Sequence, residues 1–303
     1  MSAKVIALGF FDGVHLGHQA ILRGADRAIT FRSHPLALLA PERAPRLIMS
    51  LDDRLAAIRA CGVREITLLD FTPELAATSP DDFAARYLTE DGAKASVRCG
   101  ANWNFGKGGA GNPDWLRAHG YDVTVVPFAE YEGEPISSSR IRRALASGEI
   151  AAANVMMGRP LRAHGEVFRG KGAGRALGFP TVNLRLKDFS IDLPRGVYEV
   201  AAGGARGLAN YGVAPTFGER QWKEPVLEIH FCGQGDGQGF GERSPRTPPM
   251  EGFLPLSSLN VDFLRFVRPE RKFASVEALR EQIARDCAGL SNMLYCAHGH
   301  ENL

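Results

Sequence analysis

The chain reads as an α/β half with a parallel sheet, followed by a small antiparallel β-barrel. Three observations predict this. Apolar runs alternate with helical periods from residue 4 to residue 157. After Gly158-Arg159-Pro160 the texture changes to short, closely spaced strands separated by Gly- and Pro-rich turns. The length of 303 residues suits two domains, at roughly 100–200 residues each.

In the first half the strand candidates are Lys4–Phe11, Ala28–Phe31, Glu65–Phe71, Ala95–Cys99 and Tyr121–Pro127. Helical periods lie between them. Leu51, Leu55 and Ile58 fall at i, i+4, i+7, and Ser79-Pro80-Asp81-Asp82 is a helix start ahead of Phe83 and Tyr87. Strand–helix–strand alternation gives a parallel sheet. Sixteen residues, Asp12 to Arg27, make the first crossover. That is close to the minimum for a parallel connection, so its helix has two or three turns. A helical pair, Ser138–Ser147 and Glu149–Met157, closes the half. The Gly158-Arg159-Pro160 break sets the expected domains at 1–158 and 159–303.

The second half offers strands at Ala163–Phe168, Thr181–Leu186, Val197–Ala201, Gly207–Tyr211, Val226–Phe231 and Leu259–Val267. This is a barrel pattern. A terminal helix follows, with Val276, Leu279 and Ile283 on one face. Residues 233–258 are Gly/Pro-rich without an apolar period and read as a loop or insertion.

Thirty-six Lys+Arg against 34 Asp+Glu leave a net charge of +2, too balanced to predict a nucleic-acid or membrane partner. No run approaches the ~20 apolar residues of a membrane span. MSAKVIALGFF lacks the features of a signal peptide. Five cysteines, at 61, 99, 232, 287 and 296, form no CxxC pair. These features speak against a disulfide scaffold or zinc ribbon and lead to the expectation of a reduced, cytoplasmic protein. Oligomeric state is not legible.

Residues 9–22, GFFDGVHLGHQAIL, place two histidines at the opening of the first helix. A helix N-terminus collects phosphate, and imidazoles there can donate to it as charge builds. Gly17 permits close approach to the backbone. The bland alternative is two surface histidines in a cap. Zinc lacks a third ligand and an HExxH motif. Ser137-Ser138-Ser139-Arg140-Ile141-Arg142-Arg143 sets hydroxyls at a helix start and arginines in its first turn. Serine at an N-cap is also ordinary structural chemistry, but those arginines oppose the helix dipole, which makes sense if a polyanion occupies that end. Gly100–Gly109 follows a strand, at the sheet edge where α/β ligands bind. Asn102 or Asn104 could read a base or ribose and Trp103 could stack, and a plain turn accounts for the same residues.

In residues 165–184, GEVFRGKGAGRALGFPTVNL, Gly170, Gly172 and Gly174 mimic a dinucleotide fingerprint. Pro180 excludes the required helix, but the loop can still wrap phosphates beside Lys171 and Arg175. Thr181 and Asn183 share a strand face and can join phosphates in holding Mg²⁺, or simply form a polar strand face. Glu228 in PVLEIHF alternates with Leu227 and Ile229, and can act as a general base or simply be an exposed strand Glu.

FDGVHLGH, the NFG loop, SSSRIR and GRP, in that order, resemble the adenylyltransferase half of the bifunctional bacterial riboflavin kinase/FMN adenylyltransferase family. GRALGFPTVNL, PRGVYEV, GLANYGVAPTF, VLEIHF and FVRPERKFASVEALREQIARD resemble its kinase half. The resemblance implies a Rossmann-like HxGH nucleotidyltransferase domain and a riboflavin kinase-like barrel. It implies catalytic roles for His15, His18, Arg142 and Glu228. Nucleotide contacts would come from Gly9, Phe10, Gly17, Asn102, Ser138, Ser139, Gly172, Gly174, Thr181 and Asn183, with Thr181 and Asn183 also on Mg²⁺. Riboflavin, FMN and ATP would be the small-molecule substrates.

Four departures from the family pattern stand out. The helix after His18 is short. Asn102 replaces an acidic residue. Ser139 replaces Thr in the hydroxyl motif. Residues 233–258 replace a short LYG-containing turn. Retention of a single activity, transfer to another phosphate ester, and a non-catalytic flavin sensor on the same scaffold are the alternatives.

Overall fold

The computed structural model describes residues 4–90, 92–168, 179, 181–213, 225–232 and 257–290. Two compact units emerge: 1–162 with 188–193, and 163–187 with 194–303. By contacts the first unit runs through Arg162, and the segment 188–193 groups with it. Arg159 is anchored in this unit. Its guanidinium donates to the carbonyls of Gly13 (2.6 Å), Val14 (2.9 Å) and Met157 (3.2 Å), so it is integral to the first unit.

The first unit runs β1 (Val5–Leu8), α1 (Leu16–Leu22), β2 (Arg27–Phe31), α2 (Leu36–Leu39), α3 (Leu51–Ala60), β3 (Glu65–Leu69), α4 (Pro73–Ala77) and α5 (Pro80–Tyr87). A small hairpin of β4 (Thr89–Glu90) and β5 (Ala93–Lys94) follows, then β6 (Ser96–Gly100), α6 (Pro113–Ala118) and β7 (Val123–Val126). A second hairpin, β8 (Glu130–Tyr131) and β9 (Glu134–Pro135), leads to α7 (Ser138–Ala146) and α8 (Ile150–Met157). The sheet is parallel, in the order β3-β2-β1-β6-β7. Strand order reverses between β1 and β6, and a crevice at such a point is where α/β sheets bind ligands. Both faces of the sheet are covered. Ile6, Leu8 and Val97 pack on one side with Phe83, Leu88 and Leu116. Ala7 and Ala28 pack on the other with Leu22 and Ile58.

Local chemistry explains the element ends. Ser50, Thr72, Ser79 and Asn112 each accept from a backbone N–H three residues on, capping α3, α4, α5 and α6. Helix α1 has two turns, as its short crossover requires. Arg98 on β6 donates to the Ala20 and Ile21 carbonyls at its end. β1 is shorter than the apolar run Lys4–Phe11. The chain leaves the sheet after Leu8, and Phe11 already has φ +60°.

The second unit contains β10 (Leu161–Phe168, beginning at the unit boundary), β11 (Thr181–Lys187), β12 (Gly196–Ala202), β13 (Ala205–Val213), β14 (Pro225–Phe231), β15 (Ser258–Pro269) and α9 (Val276–Ala288). The strands close a barrel in the order β10-β11-β14-β13-β12-β15. Val182, Leu184 and Leu186 alternate inward on β11, facing a core with Leu227, Ile229 and Phe263. Glu199 is buried in β12 between Arg206 (2.8 Å) and Arg265 (2.6 Å), so its charge is paired on both oxygens. Ser275 caps α9. Its expected apolar face is only partly covered: Val276 is exposed, whereas Asp286 is buried against Arg268 at 2.8 Å. Cys232 and Cys287 are bonded, which corrects the expectation of a wholly reduced chain. Cysteine spacing could not show this, because the partners come from β14's end and α9, 55 residues apart.

Candidate active sites

The first site is built around the turn between β1 and α1. Gly13 has φ +79°, and a Cβ there would sit 2.8 Å from Ile48, so only glycine fits. The turn holds Asp12, whose carboxylate is 3 % exposed. One oxygen accepts from the Ile48 N–H (3.0 Å) and the other from Arg142 (2.6 Å). Burial raises the Asp12 pKa, against the opposing pull of Arg142. Ser138 donates to the Asp12 carbonyl at 2.8 Å, and Arg142 also reaches the Ser139 hydroxyl at 3.3 Å. The start of α7 is thereby clamped to the turn before α1. Ser137 is the residue that caps α7, accepting from the Arg140 N–H. Of the hydroxyl run, then, Ser138 and Ser139 sit inside the helix.

His15 caps α1: its Nδ1 accepts from the His18 backbone N–H at 3.3 Å. In the neutral ring the proton therefore resides on Nε2. The His15 and His18 rings stack at 3.6 Å, and Phe11 meets His18 edge-on at 5.4 Å. Burial, with help from the Arg159 charge, pushes the His15 pKa down to about 4 and that of His18 well below its usual range. His15 Coulombic repulsion also acts on His18. Both imidazoles are uncharged at neutral pH. Among the described residues, the buried His18 Nδ1 has no hydrogen-bond partner, as is also true of Arg27 Nε and Arg54 Nε.

Gly17 has a local reason as well: a Cβ there would lie 3.2 Å from the His15 ring. Gly9 likewise makes room for Phe11, whose ring would be 2.8 Å from a Cβ. Phe10 lies under the Arg54 guanidinium at 4.1 Å, with His34 at its edge. Arg54 is fully buried and donates to the carbonyls of Phe10, Phe31 and Arg32. Burial lowers its pKa to about 10, so it stays charged at neutral pH. Asn102 is exposed just beyond β6, next to β1 in the sheet. Trp103 stacks on Phe105 at 4.8 Å and packs against the core, so its ring is engaged within the protein.

The second site stands on the outer face of the barrel. Asn183 on β11 is register-paired with Glu228 on β14, and Thr181 with His230. The Thr181 hydroxyl donates to the Glu228 carboxylate at 2.9 Å. Glu228 is exposed, and Leu227 and Ile229 beside it point inward. Asn210 on β13 faces Glu228 from the other side and donates to Glu270 at 3.1 Å. Gly172, Gly174 and most of the 233–258 run lie outside the described residues.

Three polar residues of the first site escaped sequence reading as site residues: Asp12, Arg54 and Arg159. Asp12 lay within the FDG turn and Arg159 within the domain break, but neither carries a periodic signal. Asn210 was legible only as part of the GLANYG run. Its alternation with Ala209 and Tyr211 does not point to Glu228 without the strand register.

A family model described as FAD synthetase matches residues 1–140, and one described as riboflavin kinase matches residues 157–294. Curated relatives named bifunctional riboflavin kinase/FMN adenylyltransferase include one from Bacillus subtilis, 32% identical over 93% of this chain and 90% of its own. Another, from Escherichia coli, is 30% identical over the same shares. A third, from Pseudomonas fluorescens, is 32% identical over 94% of this chain and 91% of its own. A solved structure described as a macrolide-efflux protein from Streptococcus pneumoniae superposes with a TM-score of 0.77 at 29% identity, covering 94% of this chain and 92% of that one. Among the described residues, no helix is long and apolar enough to cross a membrane. Two family models in tandem, and relatives matched over nine-tenths of both lengths, leave one conclusion: the chain belongs to the bifunctional riboflavin kinase/FMN adenylyltransferase family.

Proposed function

We infer that the chain is a two-step enzyme of flavin cofactor synthesis. The barrel transfers the γ-phosphoryl group of ATP to riboflavin, giving FMN and ADP. The α/β unit transfers the adenylyl group of a second ATP to FMN, giving FAD and diphosphate. The observation that carries the reading is the separation of the two assemblies. The stacked His15–His18 pair with its orphaned Nδ1 lies in one compact unit, and the Thr181–Glu228 pair lies in the other. The functional division proposed is 1–158 for adenylyl transfer and 159–303 for the kinase.

In the kinase step Glu228 takes the proton of the riboflavin 5′-hydroxyl as the oxygen attacks the γ-phosphorus, and ADP departs. The Thr181 hydroxyl orients that carboxylate, and Asn183 stands opposite it. The donors here are hard oxygens, which suits Mg²⁺. Thr181 and Asn183 would hold the cation together with ATP phosphates, and bound there it would offset phosphate charge. Gly172 and Gly174 would contribute backbone N–H groups to the same nucleotide.

In the adenylyl step an FMN phosphate oxygen attacks the α-phosphorus of ATP, and diphosphate departs. The nucleophile is already anionic, so the protein's work is positioning and charge neutralisation. His15 donates from Nε2, and His18 brings its buried Nδ1 side to the same task. Arriving phosphates favour protonation of both rings, which are neutral beforehand. Arg142, Ser138 and Ser139 border the same turn, with Gly9, Phe10, Gly17 and Asn102 framing the nucleotide. The use of ATP favours a cytoplasmic setting, and the nearly balanced net charge gives no sign of a nucleic-acid or membrane partner. The test is a chromatographic time course of riboflavin with Mg²⁺ and ATP. FMN is expected first, then FAD. Unchanged riboflavin, or FMN that never becomes FAD, overturns the reading.

A further inference from the structure

We propose that Cys232 and Cys287 form a reversible dithiol–disulfide site on the barrel, exchanging with low-molecular-weight disulfides and read out in the kinase step. Cys232 directly follows β14, and Cys287 lies in the last turn of α9. Their Cα atoms are 5.8 Å apart and their sulfurs are bonded. Both residues are half-buried, so a small disulfide can reach them. Cys232 sits four residues beyond Glu228, just past the end of the strand that carries it.

His230 distinguishes this pair from the other described cysteines. A ring nitrogen of His230 and the two sulfurs all lie within 4.8 Å of one another. An imidazolium at that range favours the thiolate, which is the attacking form. Burial raises the thiols of Cys61 and Cys99, that of Cys99 to about 11, against the weaker pull of Arg159 and Arg23 on Cys61 and of Arg117 on Cys99. His230 also links the sulfurs to the nucleotide side of the barrel. Its ring meets Phe179 edge-on at 5.1 Å, and it is register-paired with Thr181.

The chemistry balances. One protein thiolate attacks a sulfur of the small disulfide and expels the first thiolate, leaving a mixed disulfide. The second protein thiolate attacks the protein sulfur of that bond, closes Cys232–Cys287 and expels the second thiolate. The protein loses two electrons, the small disulfide gains them, and the two protons end on the released thiols. Closure holds the end of β14 to α9. The kinetic half of the proposal rests on the assignment of Glu228, whereas the exchange half does not.

The experiment uses the full-length protein equilibrated in mixtures of reduced and oxidised dithiothreitol. Alkylation with peptide mapping and both reaction rates are read on the same samples. Cys232 and Cys287 should lose and regain alkylation together and reversibly. The kcat/KM for riboflavin phosphorylation should be about threefold higher in the oxidised sample, because reduction frees the end of β14. FAD formation from FMN should not change. C232S and C287S should each remove the redox response, and H230Q should slow closure severalfold. The proposal is overturned if either thiol stays alkylatable under oxidising conditions, or if riboflavin phosphorylation is equal in both forms. It is also overturned if the reduced protein holds a chelator-removable zinc ion that shields both thiols, which would make the three side chains a metal site. E228Q separates the two layers. If E228Q still phosphorylates riboflavin while the thiols cycle, the base assignment fails and the exchange stands.

Discussion

In the α/β unit the polar groups of the site are hidden. His15, Asp12 and Arg54 are each no more than 5 % exposed, and they meet through backbone carbonyls, a buried ion pair and a turn with positive φ. On the barrel the corresponding groups stand outward. Thr181, Asn183 and Glu228 are brought together only by strand register, and Glu228 is exposed. The difference teaches where each site draws its strength. A buried site tunes charge by desolvation, which keeps His15 and His18 neutral. An exposed site cannot tune its carboxylate by burial, and relies on neighbours across the ladder to aim it.

The sharpest way to break this comparison is to remove the proposed base on the exposed side. Glu228→Gln should lower the rate of FMN formation by ~10²–10⁴-fold, with FAD formation from supplied FMN unchanged. A parallel loss of both rates in a folded protein would show that the two sites are not independent. On the buried side, His15→Ala and His18→Ala should each lower FAD formation by ~10²–10³-fold. FMN should then accumulate from riboflavin.

Arg159 tests whether the buried site depends on its clamp. Arg159→Met leaves the Gly13, Val14 and Met157 carbonyls without their donor, and should cost ~2–4 kcal/mol of unfolding free energy. Urea unfolding followed by the fluorescence of Trp103 and Trp115, both in this unit, reads the loss. An unchanged midpoint would make Arg159 a bystander.

The smallest effect is the pH dependence of the same transition. The His15 pKa is depressed to about 4 in the folded chain. Its contribution is therefore complete above the unfolded pKa of about 6.5 and is lost as pH falls toward 4. At pH 5 the unfolded ring holds a proton that the folded ring refuses, a cost of ~2 kcal/mol relative to pH 7.5. His18 acts in the same direction. Asp12, with its raised pKa, acts in the opposite one and offsets part of the loss. A midpoint that rises on acidification to pH 5 would contradict burial of neutral histidines.

Much of the architecture was legible because it rests on local periodicity. The alternation in VLEIHF separates Leu227 and Ile229 from Glu228, and the barrel honours that separation. Ser79-Pro80-Asp81-Asp82 announced α5, and the Ser79 hydroxyl caps it. Short helices were missed. α2, α4 and α6 span four to six residues, too few for a period to show. The apolar run through Phe11 read as strand because hydrophobicity does not reveal a φ of +60°. Within the site, His15, His18 and the Ser–Arg helix start carried residue-level signals. The Asp12–Arg142 pair did not, because 130 residues separate its members.

By itself, the sequence determined two folding units, the strand faces on which Thr181, Asn183 and Glu228 stand, and the helix opening that carries His15 and His18. These follow from periods of two and 3.6 residues and from capping chemistry, which act over a few positions. Tertiary structure alone decided which distant groups meet: Asp12 with Arg142, Arg159 with the Gly13 turn, Cys232 with Cys287. It also decided that the histidines are neutral, since that charge state depends on water excluded by residues far away along the chain.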